Sequence, residues 1–74
     1  PIFAVVNIRV GRNEEALKVL QAALEIDPKY AEAYRLMGIA QLQMKKNQEA
    51  CQSFAKAKEL GDPNVDELIK KHCK

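Results

Sequence analysis

The sequence contains no tryptophan, and aromatic residues make up only 5% of its 74 positions. So few large rings suit a core that is built from closely packed, alanine-rich helices. No run of about 18 apolar residues occurs, which excludes a membrane-spanning helix within this chain. A strong charge of either sign is also missing, because the formal net charge is only +2 at pH 7.

The charged residues are mixed along the chain rather than gathered into one patch. Glu14 and Lys18, like Glu67 and Lys71, have the i, i+4 spacing at which opposite charges meet on a helix. No basic stripe alternates with aromatic residues, so single-stranded nucleic acid has no platform for base stacking. We therefore expect neither a nucleic-acid nor a membrane partner.

Residues that carry catalytic chemistry are scarce. The single histidine, His72, lies beside lysine in the last predicted helix. No Ser–His–Asp set, phosphate-binding loop or carboxylate pair suited to a cleft is found. We expect no enzymatic activity, no catalytic residue and no cofactor, and we interpret His72 as a half-buried packing residue.

The two cysteines, Cys51 and Cys73, fall on different predicted helices, and the chain has no CxxC pair. A zinc site that used both of them with His72 would lack a fourth protein ligand and the usual short spacing. We therefore expect no metal site. Cys51 is interpreted as a partly buried free thiol, since free cysteine packs as a small hydrophobe. Cys73 is the thiol more prone to react or to form an intermolecular disulfide.

An internal repeat with a period of 34 residues organises the whole chain. The segment Asn13-Glu14-Glu15-Ala16 returns as Asn47-Gln48-Glu49-Ala50. Further pairs at the same shift are Ala4/Gly38, Ile8/Leu42, Arg12/Lys46, Leu20/Phe54, Ala23/Ala57, Glu25/Glu59 and Ile26/Leu60. A period near 34 made of two helical patterns is typical of a helix–turn–helix solenoid. In such a solenoid each copy buries one face against the next.

The apolar periodicity predicts five helices. They span residues 2–10, 13–26, 30–43, 47–60 and 63–73. Asn13 and Asn47 are the predicted N-caps of the second and fourth helices. Gly61 is expected to end the fourth helix, and Asp62 to cap the fifth.

The predicted fifth helix has one apolar stripe and one polar face. The stripe contains Val65, Leu68, Ile69, His72 and Cys73. Because the last unit of a solenoid needs a polar outer face, this helix is expected to cap the second copy and to end the array. The N-terminal run of residues 2–6 is apolar and has no such cap, so we expect it to present a bare face.

These repeated positions resemble the tetratricopeptide repeat (TPR) family. The residues that match its pattern are Ala31, Tyr34, Gly38, Ala50, Phe54 and Ala57 in the second copy, and Ala4, Ala16, Leu20, Ala23 and Pro28 in the first. Gln41 replaces a usual aromatic residue, and Lys45 replaces a common turn glycine. The segments 59–63 and 68–71 are most similar to TPR proteins of bacteria. The resemblance implies an all-α solenoid with a truncated first repeat (1–30), a second repeat (31–62) and a capping helix (63–74).

The resemblance also implies a protein–protein interaction scaffold, in which the first helix of each pair lines a concave groove. The groove positions are Val5, Ile8, Arg9, Glu32, Arg35, Ile39, Leu42 and Gln43. An apolar strip flanked by two arginines suits a peptide or protein partner with apolar anchors and an acidic group. Alternatively, the apolar residues pack on the capping helix, on a neighbouring repeat outside this sequence or on a second copy of the chain. In the last case the chain is a self-association module that dimerises through its N-terminal helix. Of the cellular compartments, the cytoplasm is favoured.

Overall fold

The computed structural model describes the backbone of residues 2–73 and the side chains of residues 5–73. Five helices are present in this part of the chain. They are α1 (Ile2–Arg9), α2 (Asn13–Ile26), α3 (Ala31–Gln43), α4 (Asn47–Glu59) and α5 (Asp66–His72). The prediction of an all-α helical repeat is confirmed. Four of the helices begin and end within one residue of the predicted bounds, and α5 begins three residues late.

Each helix packs on the next one in the chain, which is the arrangement of a solenoid. α1 also touches α3, because α1 and α3 are the first helices of successive pairs. α2 and α4, the second helices of the two pairs, do not contact each other. The inner side is formed by α1 and α3, the helices that the sequence assigns to the groove.

Three helices end in the same turn geometry. Gly11, Lys45 and Gly61 have positive φ angles of 82°, 63° and 94°. In each turn the N–H of this residue bonds the carbonyl three residues back, and the next N–H bonds the carbonyl five residues before it. These paired bonds define the Schellman motif, which satisfies carbonyls that a helix end leaves free. Lys45 adopts the left-handed conformation although it carries a side chain, which costs about 1–2 kcal/mol.

The predicted asparagine caps are wrong. Arg12 and Lys46 are the N-cap residues of α2 and α4, and neither helix has a side-chain cap bond. The reason is the preceding Schellman turn, after which the helix begins one residue earlier than expected. Asn13 and Asn47 are therefore the first helical residues, and the buried Oδ1 of Asn13 has no hydrogen-bond partner among the described residues.

The core consists of two clusters that α3 joins. The first cluster unites α1, α2 and α3, and its buried members are Ile8, Ala16, Leu20, Ala33, Leu36 and Ala40. The second cluster is formed by Ala50, Phe54, Ala57 and Val65. Leu20 and Phe54, which are equivalent in the repeat, are both fully buried. α3 reaches the second cluster with Tyr34, Ile39 and Leu42, so each of its sides serves a different neighbour.

Gly38 is required by the ring of Phe54. A Cβ added at Gly38 would lie 2.6 Å from Cδ1 and 2.9 Å from Cζ of that ring. Real Cβ atoms do not approach other atoms this closely, so the ring occupies the space that a side chain would need. The close approach of α3 and α4 thus depends on a glycine facing a phenylalanine.

Two Asp-Pro turns lead into α3 and α5. Asp27 Oδ1 accepts a hydrogen bond from the N–H of Lys29 at 3.2 Å, and Asp62 Oδ1 accepts one from Asn64 at 2.8 Å. Such Asx turns hold the chain outside helical geometry. The predicted start of α5 at residue 63 is therefore wrong, because the turn around Asp62 delays the helix until Asp66.

The interpretation of the cysteines as free thiols is also wrong. Cys51 and Cys73 form a disulfide that joins α4 to the end of α5, with 5.6 Å between their Cα atoms. α5 is short and presents its stripe to α4, which brings the last turn over Cys51. Val65 is buried and Leu68 and Ile69 are half-buried, as the predicted stripe requires. His72 is exposed instead of half-buried.

Candidate functional site

The inner face of α1 and α3 brings together the residues of the predicted groove. Val5 is half-buried against the first cluster, and Leu42 is half-buried against the second. Ile39 touches both clusters and lies between them. Because α5 contacts α4 but not α3, the partly exposed surfaces of these three side chains are left uncovered by α5.

Ile8 differs from the other apolar positions of this face. Only 7% of its surface is exposed, and it belongs to the first core cluster. Its equivalent in the second copy, Leu42, is only half-buried. Ile8 therefore contributes mainly to the packing of α1 on its neighbours, and Leu42 offers more surface to a ligand.

Charged residues form a hydrogen-bonded chain at the N-terminal end of α3. The Tyr30 hydroxyl donates to Glu32 Oε1 at 2.9 Å, and Arg35 donates to Glu32 Oε2 at 3.5 Å. Arg35 Nε donates to Asp62 Oδ2 at 2.7 Å, where the carboxylate is only 4% exposed and the Arg35 side chain 19%. Arg35 thereby ties α3 to the turn that precedes α5.

The hydrogen bond to Glu32 raises the pKa of Tyr30 above its ordinary value of 10.0. Partial burial, and the negative charges of Glu32 and Asp27, act in the same direction. The cause is that the hydroxyl loses its donated bond when it ionises, and the new charge faces carboxylates. Tyr30 is accordingly held as a donor that orients Glu32.

The opposite end of the groove is open and carries Arg9 and Gln43. These residues are equivalent in the repeat and stand in the last turns of α1 and α3. Both are exposed, and Arg9 forms no ion pair with any other described residue. The two arginines predicted for the groove thus differ: Arg35 is held by two carboxylates, whereas the guanidinium of Arg9 faces water.

A polar cleft of about 510 Å³ occupies the outer side, between α3 and α4. It is lined by Tyr34, Gln41, Glu49, Gln52, Ser53 and Lys56. With its amide nitrogen turned toward these acceptors, Gln41 donates to Ser53 Oγ at 2.6 Å and to the Glu49 carbonyl at 3.2 Å. Gln41 stands where the family pattern has an aromatic residue, so the smaller side chain leaves this cleft unfilled.

Among residues 5–73, no three His, Cys, Asp or Glu side chains are grouped as metal ligands. None of the five helices has the length and apolar character needed to cross a bilayer.

Stacked helix pairs with a 34-residue period define a helical-repeat protein. The family model described as TPR repeat matches residues 9–45, which is 37 of the 74 positions. The chain therefore belongs to the TPR repeat family, as its sequence pattern predicted. No curated protein and no solved structure matches it. TPR repeats generally mediate protein–protein interaction and are typically non-enzymatic.

Two features of this region escaped the sequence analysis. The ion pair of Arg35 with Asp62 joins residues 27 positions apart, and the repeat pattern assigned Arg35 to ligand binding. The only available signal was Gly61, which adds a residue to the second Asp-Pro turn. The disulfide had no signal of its own, since two cysteines without a CxxC spacing indicate no particular pairing.

Proposed function

We propose that this protein is an interaction scaffold that binds a segment of a partner protein along the inner face of α1 and α3. The observation that carries the proposal is the uncovered apolar strip of Val5, Ile39 and Leu42, which α5 leaves free. The strip lies on packed helices, so binding requires little ordering of the scaffold. A partner segment with apolar side chains would bury this strip further.

The charges around the strip support a direction for the bound segment. An acidic group of the partner would meet the exposed guanidinium of Arg9, which is free to make bidentate hydrogen bonds. Gln43 offers amide groups at the same end. Arg35 is neutralised by Asp62 and Glu32, so the other end of the groove would repel a carboxylate. We propose that the acidic part of the segment lies over the C-terminal ends of α1 and α3.

Selection of peptides on the purified chain, followed by binding measurements on isotope-labelled protein, tests this function. The probe is the tightest-binding synthetic peptide from a random phage-displayed library. We expect its binding to shift the amide resonances of Ile39 and Leu42. Leu42→Glu should weaken binding about tenfold or more, since a buried apolar anchor is worth more than about 1.4 kcal/mol.

Gln52→Glu provides the matched control, because Gln52 is exposed on the outer cleft and the change adds the same charge. It should leave the affinity unchanged. Resonance shifts confined to the outer cleft, or equal losses in the two variants, would contradict the inner-face proposal.

A second candidate function is self-association through α1. Val6 and Val10 are 52% and 64% exposed. Val10 directly follows the last residue of α1 and lies one turn from Val6, to whose carbonyl its N–H donates a hydrogen bond at 3.1 Å. Two exposed aliphatic side chains so placed favour contact with another apolar surface. Ile2 and Phe3, which the sequence adds to this face, have side chains outside the described residues.

Sedimentation equilibrium over a range of concentrations distinguishes this candidate. A dimer that dissociates when Val6→Glu is introduced would support self-association and would count against peptide binding in the groove. A monomer at all concentrations would leave the inner face as the interaction surface. The experiment is run with a reductant and again without it, so that intermolecular disulfides are recognised.

A further inference from the structure

We infer that Cys51 and Cys73 form a thiol–disulfide modification site that fastens α5 over the second core cluster and releases it on reduction. The bond connects the first half of the core helix α4 to the residue that follows α5. It lies on the side of α4 that faces α5, and α5 has no contact with α3, the helix that carries Ile39 and Leu42.

Few other contacts hold α5. The helix has only seven residues and packs on α4 alone. Val65 is fully buried at its start, while Leu68 and Ile69 are half-buried along its length. The ion pair between Lys58 and Asp66, at 3.4 Å, is exposed and therefore contributes little.

A helix of this length is not stable in isolation, because isolated helices shorter than about 12–15 residues are marginal in water. Its persistence depends on the attachment of both ends. Val65 attaches the first end through burial, and the disulfide attaches the last. Without the covalent bond, we expect the last turn to fray and Leu68 and Ile69 to separate from Ala57 and Phe54.

The two thiols have the access and the surroundings that exchange requires. Both cysteines are half-buried and not sealed in the core. Lys70 and Lys71 lie in the turn immediately before Cys73. The same charges attract an anionic low-molecular-weight disulfide such as oxidised glutathione.

The reaction is a thiol–disulfide exchange in two steps. One cysteine thiolate attacks a sulfur of oxidised glutathione, which forms a mixed disulfide and releases one glutathione thiolate. The second cysteine thiolate attacks the protein sulfur of that mixed disulfide, closes the Cys51–Cys73 bond and releases the second glutathione. Two electrons pass from the protein to the glutathione pair, and the two protons of the cysteine thiols pass to the released thiolates. A small dithiol opens the Cys51–Cys73 bond by two further exchanges: it forms a mixed disulfide with one cysteine, then closes to its own cyclic disulfide and leaves both cysteines as thiols.

Opening α5 would uncover an apolar surface that the closed form hides. Phe54 and Ala57 are fully buried, and they belong to the cluster on which the stripe of α5 rests. Reduction therefore changes the surface at this end of the protein without altering the backbone of α3. The oxidation state would decide whether the second repeat is capped.

Hydrogen exchange on the whole chain tests the inference directly. One sample is oxidised with oxidised glutathione and another is reduced with dithiothreitol, and the Cys51→Ser/Cys73→Ser variant is the control. The informative amides are those of Ile69 and Cys73, which bond the carbonyls of Val65 and Ile69 at 3.0 and 2.8 Å. We expect the Cys73 amide, and to a lesser degree that of Ile69, to lose at least tenfold protection on reduction, while central amides of α3 stay protected.

The oxidised monomer should also melt about 10–20 °C above the reduced one. The double-serine variant should behave like the reduced protein with or without dithiothreitol. Equal protection of α5 in both states would overturn the inference. Loss of protection in α3 to the same extent as in α5 would overturn it too, because reduction would then unfold the whole chain. Oxidation that yields only linked dimers would show that the pair is not an intramolecular site.

Discussion

The two copies of the repeat share a helix–turn–helix arrangement but bury different surfaces. Val6 and Ala40 occupy the same place, 34 residues apart, yet Val6 is 52% exposed and Ala40 is fully buried. Ala40 packs against the helices of the preceding copy, whereas no described helix covers Val6. The comparison teaches that the repeated sequence specifies a helix, and that the neighbouring unit decides whether a face becomes core or surface.

The two Asp-Pro turns show the same contrast. Asp27 and Asp62 make equivalent bonds to the N–H two residues later, but Asp27 is exposed while Asp62 is buried beside Arg35. The added residue Gly61 is the difference in sequence between the turns. It places the second carboxylate next to α3, where a guanidinium is available.

Replacing each of these aspartates by asparagine should give the largest difference between the copies. Asparagine keeps the oxygen that accepts the turn hydrogen bond and removes only the charge. Asp62→Asn should lower the free energy of unfolding by about 1.5–3 kcal/mol, since Arg35 loses its closest charged partner. Asp27→Asn should change it by less than about 0.5 kcal/mol. Urea unfolding followed by circular dichroism measures both, and equal losses would mean that the ion pair is not stabilising.

Replacing Gly38 and Phe54 by the residues found at the equivalent places of the first copy should have the next largest effect on the free energy of unfolding. Gly38→Ala is expected to lower the free energy of unfolding by about 1–2 kcal/mol, because overlap with Phe54 outweighs the gain in helix propensity. The first copy has Ala4 and Leu20 at these places. Adding Phe54→Leu to Gly38→Ala should therefore recover part of the loss. Additive costs in the double variant, again from urea unfolding, would refute the contact as the cause.

A smaller difference is expected between the equivalent turn residues Gly11 and Lys45. Lys45→Gly should raise the free energy of unfolding by about 0.5–1 kcal/mol, since relief of the left-handed strain exceeds the added entropy of the unfolded chain. Gly11→Ala should lower it by about 1 kcal/mol. Thermal unfolding of the two variants measures the effects, and shifts of the same sign would show that the turns are not equivalent.

The smallest expected effect concerns the ionisation of Tyr30. Its raised pKa predicts a phenol titration above pH 10.0, and Glu32→Gln should move that titration downward. Because the pKa of Tyr30 is higher in the folded protein than in the unfolded chain, its hydrogen bond contributes to folding stability below the pKa of the unfolded chain. That contribution is lost as the pH rises through the pKa of the folded protein. Absorbance of phenolate measured against pH is the test. An unchanged titration in Glu32→Gln would mean that this hydrogen bond does not persist in solution.

Much of the fold could be predicted from the periodicity of the sequence, but less of the candidate site could. The repeat of 34 residues placed α1 to α4 correctly because apolar spacing and Pro28 act locally. The N-caps and the start of α5 were misjudged, since Asn13 and Asn47 are good caps in isolation but follow a turn that already ends in helical register. The groove residues Ile8 and Arg35 were assigned by repeat register, which carries no information about burial or about a distant aspartate.

The sequence by itself determined which segments are helical and that the copies stack, because these properties arise from neighbours within about four residues and from a repeated apolar face. Only the tertiary structure decided that Arg35 is held by Asp62, that Cys51 meets Cys73, and that α5 leaves the inner face of α3 open. Such contacts join residues more than 20 positions apart. Their geometry depends on how whole helices pack, and a local pattern does not encode it.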